Sequence, residues 1–202
     1  SSYPFFNARG GFDVAAMEAA ARNAAQGRGK AVVILNYPNN PTGYTPSLSE
    51  ADAIRDALVR IADSGIDLLV IADDAYFGLQ YEDGNLKESI FARLASVHER
   101  ILAAKVDGPT KEDYVWGFRG GFVTFASKGM DETKYGALVK KLMGVIRSSI
   151  SNSAAPTQYI LLKAMADPGF DAQKKRFAAI LEKRYHAVKR FLAAHEAPEG
   201  FI

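Results

Sequence analysis

Apolar residues in this chain fall into two alternating rhythms. Four short runs, AVVILN (31–36), IDLLVIAD (66–73), ERILAAKV (99–106) and GFVTFAS (121–127), are rich in β-branched and aromatic residues and predict strands, the first of them buried. Elsewhere the apolar positions recur at helical spacing. Asp13–Ala25 predicts a helix with Asp13 as its N-cap. Ser47–Ser64 predicts another, capped by Ser47 or Ser49, acidic in its first turn and followed by Gly65. Glu132–Arg147, Pro156–Met165 and Gln173–His195 make the second half rich in helix. The order β-α-β-α-β predicts an α/β fold with a mainly parallel sheet flanked by helices. A boundary is expected at ADPG (166–169), beyond which one long amphipathic helix carries the chain away.

In sheets of this kind, ligands bind outside the carboxyl ends of the strands. Three polar clusters fall there: Asn36–Gly43, then Asp73, Asp74 and Tyr76, then Gly108–Lys111. The first of them, within NYPNNPTGY, is stiffened by Pro38 and Pro41, which restrict the backbone and suit a turn that holds one side chain still at the sheet edge.

Composition narrows the class without naming a chemistry. At 202 residues the chain is expected to form one domain, or a domain with an appendage, and 48% hydrophobic with 24% charged residues argues against disorder. The net charge of +2 is spread along the chain, apart from a basic cluster at Lys174–Arg190 that reads as a solvated helix face, so no nucleic-acid partner is expected. No apolar run approaches the roughly 18 residues of a membrane span. The absence of cysteine excludes a disulfide framework, a thiolate metal site and a cysteine nucleophile, and fits a reducing compartment. His98, His186 and His195 follow no ligand spacing, and Trp116 and the Phe-rich runs read as core. The opening SSYPFF has neither an initiator Met nor a signal pattern, and is expected to begin in the middle of something longer.

Three motifs, in order and at matching spacing, resemble the class I/II aminotransferases, among the fold type I pyridoxal-phosphate enzymes. NNPTG is similar to that family's Asn-Pro-Thr-Gly turn, DDAY (73–76) to its Asp-x-x-Tyr, and TKEDYVWGFRGG (110–121) to its lysine segment, with Lys111 eight positions before Arg119 in GFRGG. The resemblance implies pyridoxal 5′-phosphate as cofactor. Lys111 then forms the Schiff base, Asp73 faces the pyridine nitrogen, Asn40 and Tyr76 contact the phenolic oxygen, and Arg119 clamps the phosphate. Each role suits its residue: a carboxylate stabilises a protonated ring nitrogen, donors stabilise an anionic oxygen, and a guanidinium grips phosphate bidentately. Lys105 is the rival to Lys111, and Asp74 to Asp73, but both miss the spacing. IRSSISNS (146–153) is weakly similar to a segment that reaches a neighbouring subunit's site, where Arg147 could pair with an acidic substrate or simply end a helix.

The resemblance further implies a cytoplasmic homodimer acting on amino acids and 2-oxo acids, with no membrane partner. Residues 1–166 would be part of the cofactor-binding large domain, and residues 167–202 a long helix leading toward a small C-terminal domain. On this view the chain is a central fragment, inactive alone. A carbon–sulfur lyase of the same fold, or a non-catalytic scaffold or sensor, remains an alternative. The family's phosphate-binding hydroxyl three residues before the lysine is replaced here by Gly108, leaving Thr110 as the nearest hydroxyl, and Glu112 and Asp113 after the lysine are unusual.

Overall fold

A computed structural model of the chain describes residues 2–195, with the backbone alone at Trp116. The elements run α1 (Val14–Ala25), β1 (Lys30–Asn36), α2 (Leu48–Asp63), β2 (Asp67–Asp73), α3 (Ile90–Leu94), β3 (Ile101–Asp107), a one-turn α4 (Pro109–Glu112), β4 (Phe122–Ala126), α5 (Glu132–Ser149), α6 (Ala155–Met165) and α7 (Phe170–Ala194). The strands lie in the order β1-β2-β3-β4. The first three are parallel and β4 runs antiparallel to β3, so the sheet is mixed but mostly parallel.

Strand order decides which face is covered. Parallel crossovers are right-handed, so two successive steps in one direction place their helices on the same face. Accordingly α2 and α3 pack together on one face, with α1 beside α2 against β1. Met17, Ile54, Leu58, Ile61 and Leu94 meet Val33, Leu35, Leu68, Val70 and Ile101 there in one buried cluster. Each such side chain contributes about 1.5–3 kcal/mol when fully withdrawn from water.

The first strand is buried on this face only, which corrects the expectation for AVVILN. Ala31, Val33 and Leu35 are buried, whereas Val32 and Ile34 are 59% and 61% exposed. A continuous apolar run reads as buried on both faces, but the pleat sends alternate side chains to opposite sides. Phe122 is likewise exposed on β4, contrary to its reading as core.

Local signals explain the helix ends. Ser47, not Ser49, caps α2: its side chain accepts from the backbone N–H of Glu50, and the Glu50 carboxylate accepts in return from the Ser47 N–H. Asp13 caps α1 and Asp131 caps α5 by accepting from the N–H groups of Ala16 and Lys134. Among the described residues, no helix is long and apolar enough to cross a membrane.

Candidate active site

The turn after β1 is locked by asparagines. Asn36 ends the strand; its Oδ1 accepts from the backbone N–H of Asn40 (2.8 Å), and its Nδ2 donates to the carbonyl of Asp73 (3.1 Å) at the end of β2. Asn36 therefore ties the turn to the neighbouring strand end, level with it in the sheet register. Asn39 closes the turn, donating its N–H to the Tyr44 carbonyl (2.8 Å) and accepting from the Thr42 hydroxyl (2.7 Å). Below it, Glu50 accepts from the Tyr44 hydroxyl, Ser47 and the Phe12 N–H; burial opposes its charge, but these donors hold its pKa below the ordinary value.

So held, Asn40 donates from Nδ2 to the Tyr76 hydroxyl at 3.1 Å. Tyr76 lies in the turn that follows β2, and Asp73, two residues earlier than Ala75, accepts that residue's N–H at 3.2 Å. Lys111, on α4, sits with its Nζ 4.2 Å from the centroid of the Tyr76 ring. Asp73, Gly108, Thr110, Lys111 and Arg119 line one cleft of about 210 Å³ at the carboxyl ends of β2 and β3. Three of the five candidates, Asp73, Lys111 and Arg119, line this cleft; Tyr76 is joined to it by its contact with Lys111, and Asn40 by its bond to Tyr76.

The glycines around this cleft are required by close approach. A Cβ on Gly108 would stand 2.7 Å from the carbonyl oxygen of Gly120, and one on Gly120 would stand 3.1 Å from the Thr157 methyl. The Gly-Gly pair lets β4 run hard against the β3 end, and Arg119 before it adopts a left-handed conformation (φ 51°). The same crowding leaves no room for a hydroxyl-bearing side chain at Gly108. Thr110 lines the cleft instead.

The two rivals lie elsewhere. Lys105 projects from β3 to form an ion pair with Asp107, with Asp74 at 3.9 Å. Burial opposes the charge on Lys105, but the hydrogen bond to Asp107 and the neighbouring carboxylates outweigh it and raise its pKa. Asp74 is buried, with one carboxylate oxygen lacking a hydrogen-bond partner. Burial pushes its pKa up to about 6, against the opposing pull of Ser89 and Lys105.

Residues 2–201 match the family described as aminotransferase class I and II. The chain belongs to that family. Among curated proteins it is 28% identical over 139 residues to a probable N-acetyl-LL-diaminopimelate aminotransferase of Bacillus subtilis, covering 69% of this chain and 30% of that one. An aminotransferase from Anaerococcus prevotii superposes with a TM-score of 0.81 at 20% identity, over 96% of this chain and 47% of its own. The aromatic-amino-acid aminotransferase of Burkholderia pseudomallei, solved covalently bound to pyridoxal phosphate, superposes with a TM-score of 0.70 at 21% identity, over all of this chain and 49% of its own. The aminotransferase fold is thereby shared, while the chain spans under half the length of these relatives.

Two residues of this aminotransferase chain escaped the sequence reading. Motif spacing assigns no role to Asn36; the signal for it is the run of asparagines at 36, 39 and 40. The basic cluster predicts a solvated face for Lys174; in the structure it pairs with Asp113 at 2.8 Å and Glu112 at 3.2 Å, which accounts for both acids after Lys111. Lys189, in the same basic cluster, pairs with Glu82 at 2.5 Å. Arg147 lies in the exposed last turn of α5 and donates to the Ser151 hydroxyl.

Proposed function

We propose that this chain carries the cofactor-binding part of a pyridoxal-phosphate-dependent aminotransferase, which moves an amino group between an amino acid and a 2-oxo acid. The placing of Asp73, Lys111 and Arg119 on one cleft, with Tyr76 against Lys111 and Asn40 on Tyr76, carries this reading. The donor set fits the cofactor: a carboxylate, a phenol–amide pair, an amine and a guanidinium.

When bound, pyridoxal phosphate supplies an electron sink for charge left on the substrate's Cα. Asp73 holds the proton on its pyridine nitrogen, which a nearby carboxylate favours. The Tyr76 hydroxyl accepts from Asn40, leaving its own proton to be donated to the phenolic oxygen. Arg119 and the Thr110 hydroxyl grip the phosphate. Lys111 would provide the anchoring amine, and its free amine would serve as the base that moves the proton of the substrate's Cα.

The same reading makes residues 1–166 part of the large domain and residues 167–202 the lead into a small one. The lack of any fully buried residue on α7 supports that division. It also makes the enzyme cytoplasmic and a homodimer; the apolar side chains that α5 and α6 present to solvent support the homodimer.

Visible absorption after addition of pyridoxal phosphate tests the assignment. A lysine-adduct band is expected in the wild type and in Lys105→Ala, and is lost in Lys111→Ala. A band that survives Lys111→Ala moves the role to another lysine; no band in any of them overturns the reading.

A further inference from the structure

Glu112 and Asp113, the two acids after Lys111, face α7 rather than the cleft. Both receive Lys174, and the Asp113 side chain is only 6% exposed, a setting in which removing the opposite charge is costly. Burial opposes the charge on Lys174, but the hydrogen bond to Asp113 and the two carboxylates outweigh it, and its pKa is raised. One residue on, Tyr114 takes a left-handed conformation (φ 59°) and lays its ring against Phe177, with centroids 5.4 Å apart. Within the loop, Asp113 and Tyr114 return their N–H groups to the carbonyls of Pro109 and Lys111. The single turn that carries Lys111 is thus closed on itself and tied at its far end to α7.

The same helix also holds the segment that follows Tyr76. Tyr185 and Lys189 both donate to Glu82, and Tyr185 packs against Tyr81 at 5.3 Å, on the segment that follows Tyr76. Lys174, Phe177, Tyr185 and Lys189 lie three, eight and four residues apart, which keeps them along one face of α7. These contacts are ionic and aromatic, and no residue of α7 is buried. Short helices of one turn do not hold their shape alone, because nucleation outweighs a single turn's hydrogen bonding.

We propose that Lys174 is a positioning residue: through Asp113 and Glu112 it holds the α4 turn so that the Lys111 amine stays over the Tyr76 ring. The role rests on the assignment of Lys111 made above, but the clamp itself is a property of the chain without cofactor. Lys174 thereby couples α4 to α7, and Tyr185 and Lys189 couple the segment beyond Tyr76 to the same helix through Glu82.

Hydrogen exchange without cofactor, in Lys174→Met, Lys174→Arg and Asp113→Asn, tests the clamp in the full protein. Amides of residues 110–115 should exchange about fivefold faster in Lys174→Met and Asp113→Asn, the factor that about 1 kcal/mol of a partly exposed ion pair confers. Lys174→Arg should restore most of the protection, and β1–β3 amides should not change. Unchanged exchange at 110–115, or an equal rise throughout the sheet, overturns the proposal. In a parallel titration with pyridoxal phosphate, Lys174→Met should form the Lys111-dependent band more slowly, again with rescue by Lys174→Arg. An identical rate in Lys174→Met overturns the positioning role, whereas failure of the wild type to form any band counts against the aminotransferase reading and leaves the exchange result to decide the clamp.

Discussion

Helices α2 and α5 are similar in length and both are amphipathic, yet one is sunk into the sheet and the other lies in the open. Ala51, Ile54, Ala57, Leu58, Ile61 and Ala62 of α2 are buried, whereas no residue of α5 is, and Val139, Met143, Val145 and Ile146 face solvent. A helix gains most of its stability in a protein from packing its apolar stripe. The α1–α3 side of the sheet is therefore closed by residues of this chain. The stripes of α5 and α6, and the open face of β1, have no such cover among the described residues. The candidate site sits on the seam: Asn40, Asp73 and Tyr76 stand on the closed region, while Lys111 and Arg119 belong to the connection that leaves it.

The largest effect should come from breaking the closed side. Leu58→Ala removes a fully buried side chain among Ile54, Ile61 and the strands, and is expected to cost about 2–5 kcal/mol. Urea unfolding monitored by circular dichroism measures it. A loss below about 1 kcal/mol would mean that the α2 face is not packed as described.

Next comes Asp74, a charge placed on the wrong side of that core. Its folded pKa, about 6, lies above the ordinary carboxylate value of 3.8. Between those values the folded state binds more protons than the unfolded one, so stability falls as pH rises. The contribution is fully present below about pH 4 and is lost above about pH 6. Asp74→Asn should therefore gain up to about 3 kcal/mol relative to wild type at pH 7–8, and almost nothing at pH 4. Unfolding midpoints across pH 4–8 check this. A penalty that is constant with pH would show that the contacts to Ser89 and Lys105 outweigh burial.

What was legible in the sequence follows the same division. The strands were placed within two residues, because β-branched runs bounded by polar clusters carry their own signal. The mostly parallel sheet followed from the alternation of elements. The reversed direction of β4 did not, since no side-chain pattern encodes strand polarity and the connection from β3 is packed into a tight glycine-rich crossing. The five-residue α3 was too short to show a period. In the site, Asn40, Asp73, Tyr76, Lys111 and Arg119 were visible as motif spacings and are brought together by the fold. Lys174 was not, because its partner lies 61 residues away in the chain and a basic helix face looks the same whether solvated or paired. Gly108 was legible only as a missing hydroxyl. Its physical reason, the Gly120 carbonyl 2.7 Å from where a Cβ would stand, belongs to the crossing of two chain segments.

The smallest effect is expected on the open side, and it sharpens the contrast most. Met143→Ala truncates a side chain that is 64% exposed on α5, so the fold as described should lose no more than about 0.5 kcal/mol. Alanine also has the higher helix propensity, which offsets part of even that. The measurement is the same urea titration used for Leu58→Ala, run at two protein concentrations tenfold apart. A small, concentration-independent change keeps α5 as a solvent-facing helix. A cost near that of Leu58→Ala, present only at the higher concentration, would mean that a second copy covers α5, and the homodimer reading would gain its first direct support. The same cost at both concentrations would instead place an intramolecular cover over the stripe, and the comparison between α2 and α5 would collapse into two helices buried by different parts of one protein.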